Sequence, residues 1–141
     1  MVSRYQKFLV ALDGTEFSIS SLEEAITLAC KCNASITGLY VVDYLNEFGL
    51  DILGPKEDEI KNKATLFLEK AKLRCTKKDV KFLSKITFGE IGPQIISFSE
   101  QGKFDLIVMR RHSKASAREL FFGSVSNFII HHSKIPLLII E

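Results

Sequence analysis

The chain has 141 residues, the length of one domain, and its hydrophobic content of 46% with eleven Phe is enough to bury a sizeable core. A formal net charge of +2 is too small to indicate a nucleic-acid or membrane partner by itself. No apolar run approaches the ~20 residues of a membrane span, and FLVAL near the start is shorter than a signal-peptide core. We therefore expect a cytoplasmic protein.

Apolar runs alternate with segments of helical periodicity along the chain. The run Phe8–Leu12 is apolar without alternation, as in a strand covered on both faces. After Asp13-Gly14-Thr15, apolar residues recur at three- and four-residue steps and predict a helix that ends near Asn33. The later predicted strands are Ser35–Val42, Val80–Phe88, Asp105–Met109 and Pro136–Ile140, and the later predicted helices are Glu57–Cys75, Gln94–Gln101 and Ser124–His132.

This alternation predicts a single α/β domain over residues 1–141, a five-stranded parallel sheet with helices on both faces and a Rossmann-like architecture. In such sheets ligands bind outside the carboxyl ends of the strands, where the strand order reverses. The loop that follows the first strand and the loop from Arg110 to Gly123 are expected to meet there. The long segment 43–56 has no clear period and is expected to be a lid or a loop that contacts a protein partner.

The cysteines and histidines show no spacing typical of a catalytic or metal site. Cys30 and Cys32 lie two apart on a predicted helix, so their side chains point in different directions, and we expect all three cysteines to be reduced structural thiols. His131 and His132 are adjacent at a predicted helix end, where capping is favoured over metal binding. No catalytic residue and no metal ligand set is predicted.

Short motifs across nearly the whole chain resemble the universal stress protein family. They are VALDGTEFS at Val10, LYVVD at Leu39, FGEIGPQI at Phe88, FDLIVM at Phe104 and FFGSVSNFIIHHSKIPLLII at Phe121. The resemblance implies the universal stress protein type of the Rossmann-like fold. It also implies a cytoplasmic stress-response protein that forms a homodimer through its C-terminal strand.

The resemblance further implies a nucleotide site for ATP or AMP, with Mg²⁺. In the nucleotide-binding members a G-2x-G-9x-G-(S/T) pattern wraps the phosphates and ribose, an Asp after the first strand approaches the ribose and metal, and a Val at the end of the second strand contacts adenine. The matching residues here are Asp13, Val41, Gly123 and Ser124, with Val125 beside them.

The first two glycines of that pattern are replaced by Arg110 and Ser113. Glycine allows positive φ and close approach of the backbone to a ligand, so we expect nucleotide binding to be weak or lost and the protein to act as a regulatory stress-response binding module. The alternative is an adenine-nucleotide-binding stress protein, with slow ATP hydrolysis as its enzymatic form, although no general base is identified.

The basic residues of the same loop allow two interpretations. The Arg110 guanidinium, together with Arg111, Lys114 and Arg118, could bind a phosphate in place of the glycine contacts, or the loop could be a solvated surface. Nucleic-acid binding is not expected, because no aromatic residue interleaves with the charges.

Two of the candidate site residues have a structural alternative. Asp13 and Ser124 each lie where a helix is predicted to begin, and both residue types are common N-caps. Asp13 is therefore expected either to cap its helix or to contact the ligand, and Ser124 to do one or both.

Overall fold

Strands and helices alternate along the chain as the sequence predicts. The structure is a computed structural model and describes residues 4–43, 57–111 and 123–141. The strands are β1 Lys7–Leu12, β2 Ser35–Val42, β3 Phe82–Phe88, β4 Leu106–Arg110 and β5 Leu137–Ile140, and the helices are α1 Glu16–Cys32, α2 Glu57–Thr76, α3 Ile91–Gln101 and α4 Ser124–His132.

The five strands form one parallel sheet in the order β3-β2-β1-β4-β5. The order reverses at β1, which pairs with β2 on one side and with β4 on the other. The carboxyl ends of β1 and β4 are therefore the switch point where such sheets bind ligands. The predicted fold class, a five-stranded parallel sheet of Rossmann-like type, is confirmed.

Helices cover both faces of the sheet, which explains why the strands are apolar without alternation. On one face Phe8 and Val10 of β1 are fully buried in the cluster that includes the apolar sides of α1 and α2. On the other face Leu9 of β1 and Ile107 of β4 are fully buried with residues of α3 and α4. Successive residues of a strand point to opposite faces, so residue parity decides which helix pair each side chain meets.

Helix α3 begins at Ile91, three residues before the predicted start at Gln94. Pro93 lies in the first helical turn, where a backbone N–H has no helical partner to lose. At Gly92 a Cβ would lie only 2.7 Å from Cδ1 of Phe128, so the missing side chain allows α3 and α4 to pack closely.

Strand β3 begins at Phe82, two residues later than predicted, because the chain is still turning at Val80. The Val80 N–H donates to the carbonyl of Cys75 at 3.0 Å, and Asp79 has a φ of 57°. Strand β4 begins and ends one residue later than predicted. Asp105, the residue before the strand, lies in a turn in which its carboxylate accepts hydrogen bonds from the backbone N–H groups of Gln6 and Lys7. Strand β5 begins one residue after the predicted Pro136.

Most of the segment 43–56, predicted to be a lid or partner loop, lies outside the described residues, which end at Asp43 and resume at Glu57. Within the ranges that are described, no helix is both long and apolar enough to cross a membrane.

The three cysteines are unpaired, and they differ in exposure: Cys30 is exposed, Cys32 is half-buried and Cys75 is buried. Burial raises the pKa of the Cys75 thiol from 9.0 to about 12, and the negative charge of Glu23 contributes to the same shift. The native state therefore keeps this proton to higher pH than the unfolded chain. Its contribution to stability is lost as the pH rises from about 9 toward 12.

We expect a maleimide at pH 8 to modify Cys30 rapidly and Cys75 only when the protein unfolds. A rise of about three pKa units lowers the reactive thiolate fraction about a thousandfold, and burial blocks access as well. Peptide mapping by mass spectrometry over a time course measures both rates, and the same reaction in denaturant, where the two thiols should react alike, is the control. Equal rates in the native protein would contradict the buried position of Cys75.

Candidate functional site

A cleft of about 130 Å³ opens at the carboxyl ends of the central strands, where the strand order reverses. Its apolar wall lies on the α3 and α4 face of the sheet. Three strands contribute to this wall, and the residues are Ala11, Leu39, Val41 and Met109. Ile91 and Ile95 of α3 and Val125 of α4 complete it.

Asp13 lies at the polar rim of the cleft, in the turn between β1 and α1. Its Oδ1 accepts hydrogen bonds from the Thr15 backbone N–H at 2.9 Å and from the Thr15 hydroxyl at 2.5 Å. Thr15 is the N-cap of α1, and its Oγ1 accepts from the Ser18 N–H. Of the two alternatives for Asp13, the N-cap is therefore wrong, because Thr15 holds the cap position and Asp13 orients the cap.

The turn that presents Asp13 depends on Gly14. Gly14 has a φ of +86°, in the left-handed region that side chains rarely adopt. A Cβ there would lie 2.9 Å from the hydroxyl oxygen of Tyr40 on β2, so the turn lies directly against this ring. The backbone at the end of β1 is thus placed both by its own conformation and by β2.

Arg110 also lies at the rim of the cleft, at the end of β4. Its guanidinium carbon is 4.1 Å from the centroid of the Phe17 ring, which belongs to the first turn of α1 and is 61% exposed. By strand parity the Arg110 side chain leaves β4 on the α1 face, whereas the apolar wall of the cleft is on the other face. The guanidinium therefore borders the cleft without lining its apolar wall.

The start of α4 opens beside the same cleft. Gly123 is the N-cap, without a side-chain capping bond, and Ser124 is the first helical residue. Of the alternatives for Ser124, the N-cap is therefore wrong. The first N–H groups of a helix have no internal partners and carry the positive end of its dipole, so this end favours an anion. Because the next residue, Val125, lines the cleft, that anion would lie at its edge.

The basic loop predicted around Arg110 is described only as far as Arg111. Arg111 leads toward β5: its N–H donates to the Ile140 carbonyl at 2.7 Å, and its Nη1 is 3.5 Å from the Glu141 carboxylate. Ser113, Lys114 and Arg118 lie outside the described residues.

The structure thus brings Asp13, Val41, Arg110 and Val125 to one cleft. Phe17, which supports Arg110, and the two isoleucines of α3 were not predicted from the sequence to belong to the site. Alternate residues of a strand point to the same face of the sheet, and this alternation could have assigned Ala11, Leu39 and Met109 to the face of the sheet that forms the cleft wall. In the described part of the chain, no cluster of three or more His, Cys, Asp or Glu side chains is arranged to hold a metal.

The fold and this cleft agree with a comparison against protein families, in which a model of the universal stress protein family matches residues 4–141. The chain belongs to the universal stress protein family. It is 29% identical over 140 residues to the universal stress protein MJ0531 of Methanocaldococcus jannaschii, covering 97% of this chain and 82% of that protein. It is 27% identical over 150 residues to the universal stress protein YxiE of Bacillus subtilis, covering 97% and 99%.

Solved universal stress protein structures share this fold. One from Archaeoglobus fulgidus, in complex with dAMP, matches with a TM-score of 0.73 at 17% identity and covers 100% of both chains. A family protein from Arabidopsis thaliana with AMP bound matches with a TM-score of 0.67 at 22% identity, covering 96% and 90%. A universal stress protein in complex with cAMP matches with a TM-score of 0.75 at 20% identity, covering 99% and 98%.

Proposed function

We propose that this universal stress protein is a regulatory binding module whose cleft binds an adenine mononucleotide with low affinity. The observation that carries the proposal is the cleft itself, whose apolar wall extends to the start of α4 at the switch point of the sheet. Related structures that contain AMP, dAMP and cAMP support the same ligand class.

The two sides of the cleft fit the two ends of such a ligand. A purine ring is apolar on both faces, and Val41 with Met109 offers it an apolar surface of matching character. The phosphate would lie at the amino end of α4, near Gly123 and Ser124, with the ribose toward Asp13. Mg²⁺ in nucleotide sites is held by one or two carboxylates together with phosphates, so Asp13 fits a metal that arrives with ATP.

The low affinity follows from Arg110 and Ser113. Where glycine would let the loop backbone approach the phosphate, these residues restrict φ and carry side chains. We infer a dissociation constant well above the micromolar order, which corresponds to less than about 8 kcal/mol of binding free energy.

Calorimetric titration with millimolar AMP tests the proposal, with Val41→Phe as the decisive variant. The added ring fills the apolar side of the cleft, so we expect the affinity for AMP to fall at least about tenfold, or ~1.4 kcal/mol. Leu83→Phe is the matched control, because Leu83 is also on a strand, is 53% exposed and lies outside the cleft. Wild-type protein that binds no AMP, or equal affinity in both variants, would contradict the proposed site.

The second candidate function is an interaction module that has lost nucleotide binding. The Arg110 side chain favours it, since its contact with Phe17 fixes a bulky group at the rim where the family pattern has glycine. In that case the protein acts through its surfaces. We propose that one of them is the outer edge of β5, where two copies pair as a homodimer.

A further inference from the structure

The amino ends of the strands, opposite the cleft, carry a row of basic residues. At least one exposed Lys or Arg precedes each strand closely, either in the connection or, for Lys31, in the last turn of the preceding helix. We call this row the basic edge, and its members are Arg4 before β1, Lys31 before β2, Lys77, Lys78 and Lys81 before β3, Lys103 before β4, and Lys134 before β5.

The lysines of the basic edge form no ion pair with any residue that the structure describes. The acidic residues at this end are Asp79, Glu100 and Asp105. Asp105 is occupied, because its Oδ2 accepts from the backbone N–H groups of Gln6 and Lys7, each at 2.9 Å. Lys7 is not counted in the row, because its Nζ donates to the Gly102 carbonyl at 2.6 Å. The described acidic side chains therefore neutralise the positive charge of the edge only in part.

The negative ends of the helix dipoles do not cancel all of the positive charge of the basic edge. In this parallel fold the helices run against the strands, so all four end at the basic edge. Each helix end carries about half a negative unit charge, about two units in all. The seven basic residues exceed the three acidic ones by four units, so about two positive units remain. The whole chain has a formal charge of only +2, and the basic edge is therefore more positive than the rest of the molecule.

Side-chain hydrogen bonds hold the backbone of two turns of the basic edge. The Ser133 hydroxyl donates to the Ile135 carbonyl at 2.6 Å and accepts from the Ile135 N–H at 3.0 Å, which closes the turn before β5. The Asp105 carboxylate ties the turn before β4 to the start of β1. Adjacent strands lie about 4.8 Å apart, so the row crosses a sheet edge about 19 Å wide. A surface that is ordered in advance loses little entropy on binding.

We propose that the basic edge is the docking surface for an extended acidic segment of a partner protein. An extended chain rises about 3.3 Å per residue, so roughly six residues span the row and can place carboxylates against successive lysines. Nucleic acid fits less well, because the edge has one Arg for base or phosphate forks, and its guanidinium already lies 5.6 Å from the half-buried Tyr5 ring. The edge is opposite the cleft, so both sites can be occupied together.

Fluorescence anisotropy with a labelled octa-glutamate peptide tests the proposal at about 0.01 M ionic strength, where the Debye length is about 30 Å. The test variant carries Lys78→Glu, Lys81→Glu and Lys103→Glu. The matched control carries the same change of charge on exposed lysines away from the basic edge, as Lys63→Glu, Lys70→Glu and Lys85→Glu. We expect the test variant to lose at least about tenfold in affinity and the control to lose at most about twofold.

Each other outcome counts against the proposal. An equal loss in both variants would show that the peptide senses only the net charge of the molecule. Tighter binding of a labelled duplex DNA, with displacement of the peptide, would assign the surface to nucleic acid.

Circular dichroism of both variants checks that they fold. Saturating AMP is expected to leave peptide binding unchanged, so failure at the cleft and failure at the basic edge are distinguishable.

Discussion

Leu138→Lys is expected to convert the proposed homodimer to a monomer. β5 is an edge strand that pairs with β4 on one side, and all four of its residues, Leu137–Ile140, are only half-buried within one chain. β5 contains no bulge, charged residue or internal proline that would prevent its outer N–H and C=O groups from pairing with another strand. In an antiparallel pair about a two-fold axis, Leu138 would lie near its symmetry mate. Two lysines there would meet as like charges, and their desolvation costs several kcal/mol each.

Size-exclusion chromatography with light scattering measures this change, and Leu83→Lys is the matched control. Leu83 lies on β3, the opposite edge of the sheet, and is 53% exposed. The control should remain dimeric. Dissociation by Leu83→Lys with a stable Leu138→Lys dimer would move the interface to β3. A wild-type protein that is monomeric at micromolar concentration would remove the dimer altogether.

The double change Arg110→Gly and Ser113→Gly is expected to strengthen AMP binding about tenfold, or ~1.4 kcal/mol. Restoring both glycines lets the loop backbone approach the phosphate. The change also ends the contact of Arg110 with Phe17, which at an exposed ring contributes only about 0.5 to 1 kcal/mol to stability. Calorimetric titration of both proteins with AMP and with Mg-ATP measures the gain.

Phe17→Ala is the control for this prediction, because it releases the guanidinium without changing the loop backbone. It should leave the affinity for AMP within about twofold of wild type, less than ~0.5 kcal/mol. If the double variant gains nothing, another part of the protein closes the cleft. If Arg110→Ala weakens AMP binding but not adenosine binding, the guanidinium itself binds the phosphate, as the alternative interpretation of the basic loop holds.

The order and type of the elements were predictable because most strands are short apolar runs and each long helix has an apolar stripe. The predicted starts of α3 and β3 were wrong because the residues at each start are compatible with two local structures. Gly92-Pro93 is equally suited to a turn or to a first helical turn, and only the contact of Gly92 with Phe128 on another helix decides between them. Val80 is apolar like a strand residue, but its N–H closes the turn after α2.

The candidate site was predictable in its rim and less so in its wall. Asp13 and Arg110 follow strands that end at the switch point, and that placement follows from topology alone. Ile91 and Ile95 were not assigned to the site, because their place in the cleft depends on where α3 begins and on how it packs. The position of the Arg110 side chain depends on Phe17, which is 93 residues away in sequence.

The strand order also has a kinetic consequence. β1, β2 and β3 are neighbours in sequence as well as in the sheet, whereas Phe8 of β1 pairs with Leu106 of β4, across almost the whole chain. Contacts with such long sequence separation carry the largest loop-closure entropy and tend to form late in folding. Residues of both β1 and β4 line the cleft, so the cleft is complete only after these two strands have paired. A molecule bound in the cleft would contact both β1 and β4 and slow the separation of these strands. The rate at which the ligand is released would therefore report whether β1 and β4 remain paired.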